Sequence, residues 1–172
     1  MRNTFRVLTF AAILLATCFA ACSNNSSLVV PFPLGQVGAT ATARIQVQEP
    51  LTYAATLRYE YKENDPVERA KQWELAGGSK KISSGKWVEP CAPLKIRVKV
   101  HQLHSQSPQP LTEKIVERPC LSSWGGTSLD SELLAITLGP GAYEFTAESL
   151  EPAPSFIGAR TSLYFGRAYS GK

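Results

Sequence analysis

The residue types that most often carry catalysis are sparse in this chain and do not form a familiar catalytic set. His101 and His104 are the two histidines, and side chains three positions apart on a strand point to opposite faces. Glu144 and Glu148, four positions apart on a predicted strand, would be about 13 Å apart, whereas a glycosidase pair needs about 5 to 9.5 Å. The hydrolase motif Gly-x-Ser-x-Gly is missing. We therefore expect no enzyme and no cofactor, with a hydrolase third among the function classes.

Cys91 and Cys120 each stand beside a proline at the end of a predicted strand. In an exported chain such a pair is expected to form a disulfide, which would stabilise the fold by about 3.6 kcal/mol in the chain-entropy model. The alternative is a metal site formed by both cysteines with His101 and His104. Because no Cys-x-x-Cys pair or accepted zinc spacing is present, we predict a disulfide and no metal.

The other two cysteines, Cys18 and Cys22, lie in an N-terminal export signal. Residues 1–21 contain a short basic end, an apolar run too short for a stable membrane span, and small residues before Cys22. Residues 19–22 (Phe-Ala-Ala-Cys) resemble the bacterial lipobox, whose cysteine is lipidated and becomes the new N-terminus. Residues 15–18 compete, but Thr17 is poor where the peptidase prefers Gly, Ala or Ser. We predict lipidation at Cys22.

An ordinary cleaved signal is the alternative, and it would leave Cys22 as an odd thiol in an oxidising compartment. Ser23 follows Cys22 where an aspartate would favour retention at the inner membrane. The resemblance to enterobacterial sorting rules therefore implies a lipid anchor in the outer membrane, facing the periplasm. The polar residues 23–27 are then a flexible tether.

The composition fits one exported globular domain. Hydrophobic residues make up 44% and charged residues 19%, which excludes wholesale disorder, and 12 glycines with 12 prolines disfavour a helical bundle. The formal net charge of +4 falls to +2 once Arg2 and Arg6 leave with the signal. A nearly neutral chain without a basic run interleaved with aromatics argues against nucleic-acid binding.

Alternating apolar and polar residues predict antiparallel strands with one buried face. A predicted edge arm at 28–34, interrupted by two prolines, precedes them. A loop is expected at 122–131, and a hairpin around Gly139-Pro140-Gly141. The predicted strands cover residues 43–48, 53–62, 94–101, 111–116, 133–138, 142–150 and 161–168.

One short helix of about ten residues interrupts the strands. Asn64 or Asp65 is the expected N-cap, Pro66 occupies the first helical position, and Gly77-Gly78 ends the helix. Val67, Ala70 and Trp73 or Glu74 give it a narrow apolar stripe, which suits a helix lying across an end or edge of the sheets. The whole pattern predicts a mainly β chain, an antiparallel two-sheet sandwich with one short helix.

Residues 138–145 (Leu-Gly-Pro-Gly-Ala-Tyr-Glu-Phe) resemble the Leu-x-Pro-Gly-x-Tyr corner of immunoglobulin-like and transthyretin-like sandwiches. As a whole, the chain resembles small proteobacterial lipoproteins of unknown function with one β-sandwich domain. Some of these are immunity proteins that neutralise toxins of contact-dependent secretion systems. We divide the chain into a signal (1–21), a lipidated cysteine with tether and arm (22–34), and a sandwich domain (35–172).

A basic stripe is the main candidate for partner binding. Lys95, Arg97 and Lys99 share the outward face of one predicted strand, and Lys80, Lys81 and Lys86 lie in the loop before it. One interpretation is a solvated face paired with glutamates such as Glu60 or Glu144. The other is a binding face for an anionic partner, with the tryptophans as hot spots if they are exposed. Those tryptophans are Trp73, Trp87 and Trp124.

Two function classes follow from these observations. The first, which we favour, is an envelope lipoprotein that acts as a protein-binding module facing the periplasm, with toxin immunity as one form. The second is a structural or envelope-associated lipoprotein without a discrete ligand. The membrane, reached through the lipid, and a periplasmic protein are the expected partners, and no small-molecule substrate is identified.

Overall fold

Alternation of apolar and polar residues builds two antiparallel sheets that pack face to face, as the sequence predicts. The computed structural model describes residues 27–36, 38–104 and 109–168. The five-stranded sheet has, in spatial order, β1 (Ser27–Pro31), β11 (Thr161–Arg167), β3 (Leu51–Glu60), β9 (Ser128–Leu138) and β8 (Ser123–Trp124). The four-stranded sheet has β2 (Thr40–Val47), β10 (Gly141–Ser149), β6 (Lys95–Gln102) and β7 (Thr112–Glu117).

The core lies between the inner faces of these sheets. In β2 every second residue is buried, from Ala41 to Val47, and β6 and β10 show the same alternation. Phe145 of β10 and Phe165 of β11 meet with ring centroids 4.5 Å apart, which joins the two sheets at their centre. The predicted fold class is thus confirmed by the period-two pattern that suggested it.

Helix α1 (Pro66–Leu75) has the predicted start and length. Asp65 is the N-cap, and its carboxylate accepts a hydrogen bond from the Glu68 backbone N–H at 2.9 Å. The predicted apolar stripe is wrong at Val67, which is 79% exposed, and at Ala70, which is also exposed, while the polar Gln72 is buried. Few side chains of the helix reach the core: Gln72 is buried, and Trp73 and Leu75 pack partly against it.

The predicted hairpin around residues 139–141 is wrong, because β9 and β10 belong to different sheets. The Tyr143 hydroxyl donates to the Gly139 carbonyl at 3.0 Å, the local geometry of a tyrosine corner. Gly141 has a φ of 154°, where the absence of a Cβ matters. The turn therefore carries the chain across the core rather than back along one sheet.

Two further boundaries differ from the sequence prediction. The predicted edge arm is β1, which pairs with β11 at the margin of the five-stranded sheet, so the described sandwich begins at Ser27 rather than at residue 35. The predicted loop at 122–131 contains β8 and the first residues of β9. Ser131 is buried although it is polar, and this interrupts the apolar alternation that would have marked the strand.

Candidate functional site

A disulfide joins Cys91 and Cys120, as predicted, with Cα atoms 4.3 Å apart. It closes the open end of the β6–β7 hairpin, because Cys91 precedes β6 and Cys120 follows β7. The Cys91 N–H also donates to the Gly77 carbonyl at 3.0 Å, which ties the chain just after α1 to the same point. A Cβ on Gly77 would lie 2.0 Å from the Cys91 backbone, so only glycine fits there.

The basic stripe on β6 consists of Lys95, Arg97 and Lys99. Each of these cations has a glutamate of a neighbouring strand within 4.0 Å. Lys95 pairs with Glu117 at 2.7 Å, and Arg97 lies 3.1 Å from both Glu113 and Glu148. Lys99 also approaches Glu113, at 3.7 Å. The pairing interpretation therefore fits the geometry, although the glutamates differ from those considered in the sequence. The ion pair with Lys95 lowers the pKa of Glu117.

The other lysine cluster lies on a two-stranded hairpin, β4 (Lys80–Lys81) and β5 (Trp87–Val88). The Ile82 N–H donates to the Lys86 carbonyl at 2.9 Å and closes the turn. The side chains of Lys80, Lys81 and Lys86 are exposed, and no carboxylate in the described part of the chain pairs with them. We call these lysines, together with Trp87, the hairpin surface.

The three tryptophans considered as hot spots lie at two sites: Trp87 on the β4–β5 hairpin, and Trp73 with Trp124 where α1 meets β8. Trp87 is 70% exposed on the hairpin surface. Trp73 of α1 is half-buried against the core, and its indole N–H donates to the Ser79 carbonyl at 3.1 Å. Trp124 of β8 meets the Trp73 ring edge-on at 6.2 Å and remains 64% exposed. Two of the three thus form a pair, and two present large apolar area to solvent.

A groove of about 900 Å³ lies on the outer face of the five-stranded sheet. Two cross-strand rows contribute to its lining: Tyr164, Thr56 and Glu132, and Arg58, Asp130 and Ser123. Ala54 of β3, with its small side chain, also lines the groove. Trp124 and Arg167 also line the groove.

Arg58 is the best-fixed side chain of this groove. Its Nε and Nη2 donate to the two Asp130 carboxylate oxygens at 2.9 and 3.3 Å, and its guanidinium lies 4.5 Å from the centroid of the Tyr164 ring. A Cβ on Gly166 would meet the Tyr164 hydroxyl at 2.4 Å, so glycine is required beneath that ring. Burial opposes the charge on Arg58, but the Asp130 carboxylate more than compensates and raises its pKa.

The residues considered for chemistry in the sequence remain separate. His101 lies opposite Glu144 across β6 and β10, His104 is exposed in the following turn, and Glu144 pairs with Arg44 at 2.8 Å. Within residues 27–36, 38–104 and 109–168 no three His, Cys, Asp or Glu side chains form a metal-binding group.

Sequence reasoning missed the groove for an identifiable reason. The predicted strand at 53–62 contains Arg58 and the predicted loop at 122–131 contains Asp130, so the sequence prediction does not bring the two together. Once Asp130 is placed on β9, its register opposite Arg58 follows directly. Leu129, Ser131 and Leu133 alternate with polar residues and are all buried. Because Ser131 is polar, this alternation does not look like a strand in the sequence.

The predicted lipidation site, Cys22, lies outside the described residues, as do the export signal and the first residues of the tether. Among the residues that are described, no helix is long and apolar enough to cross a membrane.

Comparisons with known proteins identify a family and a fold. A family model described as "Domain of unknown function (DUF5625)" matches residues 29–167. A crystal structure of a protein from Sulfurospirillum deleyianum is similar with a TM-score of 0.63 and 17% sequence identity, over 84% of this chain and 98% of that one. At this identity the likeness concerns the fold alone. The search of curated proteins found no match.

Proposed function

We propose that this chain, which belongs to the DUF5625 family, is an outer-membrane lipoprotein that binds an acidic protein on the periplasmic side through its hairpin surface. The observation that carries the proposal is Trp87, 70% exposed between lysines without a carboxylate partner among the described residues. Tryptophan is enriched among binding hot spots, and here it stands within a cluster of cations that are unpaired in the described part of the chain.

Charge supports the choice of this surface over the basic stripe. Each cation of the stripe already has a glutamate within 4.0 Å, so an incoming acidic partner would have to compete with it. The hairpin lysines carry no such competitor in the described chain, and their field is available to steer a partner. The expected partner therefore presents carboxylates around an apolar pocket that accepts the Trp87 indole.

The resemblance to toxin-immunity lipoproteins indicates which acidic proteins to test first, namely toxins of contact-dependent secretion systems. An immunity protein must hold its toxin tightly, which suits a central aromatic anchor surrounded by charges that accelerate association. A structural lipoprotein without a discrete ligand is the competing class, and it predicts that no partner is captured.

The test is affinity capture from envelope extracts with the full chain, tagged at its C-terminus and extracted in detergent. We expect an acidic protein to be recovered. Lys80→Glu/Lys81→Glu should reduce the amount captured, and the capture that remains should depend less on salt concentration. Trp87→Ala should weaken binding by at least about tenfold, the usual effect of losing a hot spot.

Two matched variants control for charge and for apolar area. Lys62→Glu/Lys114→Glu makes the same change in net charge at other exposed positions, and Ile115→Ala removes a 47% exposed apolar side chain from β7. Both should retain the partner. Equal loss in the hairpin variants and their controls, or capture of no specific protein, would contradict the proposal.

A further inference from the structure

The groove on the outer face of the five-stranded sheet has no role in the proposed function, and its shape differs from that of the hairpin surface. Its floor carries Ala54 and Thr56, which are nearly buried but lie outside the hydrophobic core cluster. Bulkier side chains also line it, including Tyr164 of the neighbouring strand and Arg58 further along β3. A depression of about 900 Å³ is within the size range of small-ligand sites rather than of flat protein interfaces.

The polar groups in the groove are arranged for a ligand with many hydroxyls. Asp130 takes two of the five guanidinium N–H groups of Arg58 and holds its plane fixed, which leaves three donors. The Glu132 carboxylate is exposed and has no ion-pair partner in the part of the chain that is described. Ser122 does not compete for it, because its hydroxyl bonds the backbone of Asp130 and Glu132.

The charges of the groove cancel, and this selects among ligand classes. Arg58 is neutralised by Asp130 at 2.9 Å, and Arg167 and Glu132 contribute one charge of each sign. An anionic ligand would meet two carboxylates, and an apolar peptide would bury groups that need hydrogen bonds. A neutral ligand that both donates and accepts hydrogen bonds meets neither penalty.

An exposed aromatic side chain supplies apolar surface in the groove. Trp124 lines the groove and is 64% exposed, whereas the Tyr164 ring is covered by the Arg58 guanidinium and shapes the groove without offering a free face. Aromatic rings pack against apolar C–H surfaces while fixed polar groups around them bond to hydroxyls. A pyranose ring has both kinds of surface. We infer that this groove binds a neutral pyranose oligosaccharide.

The test is calorimetric titration of the full chain, in a detergent without a sugar headgroup, with chitotriose and maltotriose as probes. We expect saturable binding of at least one, with backbone amide NMR shifts confined to β3, β8, β9 and β11. Glu132→Gln should weaken binding by about tenfold or more, because hydrogen bonds from sugar hydroxyls lose the charge of their acceptor and one acceptor oxygen becomes a donor. Trp124→Ala should weaken it similarly.

Glu49→Gln is the matched control, since Glu49 is an exposed glutamate away from the groove, and it should bind as the unchanged chain does. Glu132 is on the surface, so its substitution is expected to leave the fold intact, which thermal unfolding verifies. Absence of saturable binding to both probes, equal affinity in Glu132→Gln, or binding only of an anionic trigalacturonate would overturn the inference. The Glu132→Gln chain should still capture the protein partner, so the two proposals fail independently.

Discussion

Two tyrosine hydroxyls show how differently a polar atom affects stability according to its surroundings. The Tyr143 hydroxyl bonds the Gly139 carbonyl at 3.0 Å, whereas the fully buried Tyr59 hydroxyl has no partner of normal hydrogen-bond geometry among the described residues. Burial raises the pKa of Tyr59, and the nearby Ser131 hydroxyl offsets only part of that rise.

We therefore expect Tyr143→Phe to lower the free energy of unfolding by about 1 kcal/mol, because an intact hydrogen bond is lost. Tyr59→Phe should lower it less, because the Tyr59 hydroxyl has no partner of normal hydrogen-bond geometry among the described residues and its removal relieves a desolvation cost. Both substitutions remove one tyrosine hydroxyl, and urea denaturation of the two variants measures the free energy of unfolding of each. A larger loss in Tyr59→Phe than in Tyr143→Phe would contradict this.

Glu68 offers a prediction about pH. Its pKa is lowered, first by the hydrogen bond it accepts from the Lys62 backbone N–H and then by Arg160, 2.7 Å away. Its contribution to stability is therefore present above the pKa of the unfolded chain and is lost as pH falls through the lower folded value. Side-chain carboxyl NMR should show that Arg160→Ala raises the pKa of Glu68 only part of the way.

Arg69→Ala is the matched control. Arg69 lies beside Glu68 on α1, but its guanidinium lies over the Trp73 ring, so this substitution should leave the pKa of Glu68 unchanged. Full return of the Glu68 pKa to its ordinary value in Arg160→Ala would show that the backbone hydrogen bond contributes nothing.

At the scale of elements, the disulfide determines how firmly the β6–β7 hairpin is closed. Cys91→Ser/Cys120→Ser should lower the free energy of unfolding by about 3 to 4 kcal/mol, because the unfolded chain regains the freedom that the closed loop removes. Denaturation with and without reductant measures this, and reductant should no longer matter in the double variant. Finding both thiols reactive in exported, denatured protein would contradict the bond.

The basic stripe on β6 gives a prediction about charge reversal and stability. Lys95→Glu/Arg97→Glu/Lys99→Glu would place glutamates beside Glu113, Glu117 and Glu148, and like charges across strands are destabilising. We expect a loss of about 1 to 3 kcal/mol, smaller in high salt because the charges are exposed. Glu113→Lys/Glu117→Lys added to the triple variant should recover part of it, and a triple variant with unchanged stability would show that the pairs contribute nothing.

Helices and strands were predictable from the sequence where residues close together in the chain determine them. The Asp65 cap and Pro66 fix the start of α1, and strict alternation fixes β2, β6 and β10. The Gly-Pro-Gly turn was identified but misassigned as a hairpin, because which sheet receives β10 depends on pairing with β2 and β6, far away in the sequence. The groove was unpredictable for the same reason, since its rows unite residues of β3, β9 and β11.

At the scale of the whole molecule, the predicted anchor remains the claim that determines where the protein acts. Cys22→Ser should abolish incorporation of a labelled fatty acid, whereas Cys18→Ser should retain it, because Ala21 before Cys22 suits the lipobox peptidase better than Thr17 before Cys18. Metabolic labelling followed by membrane fractionation is the measurement. Label kept in Cys22→Ser and lost in Cys18→Ser would move the anchor to Cys18.

The edge position of β1 then has a mechanical consequence. Between Cys22 and Ser27 the chain can span about 18 Å at most, near 3.6 Å per residue, so an anchored sandwich would be held against the bilayer surface. If Cys22 is lipidated, a pull on the anchor would be transmitted to the five residue pairs that join β1 to β11. Force along β1 would load those hydrogen bonds together in shear, so this edge ladder would act as the mechanical clamp between membrane and domain.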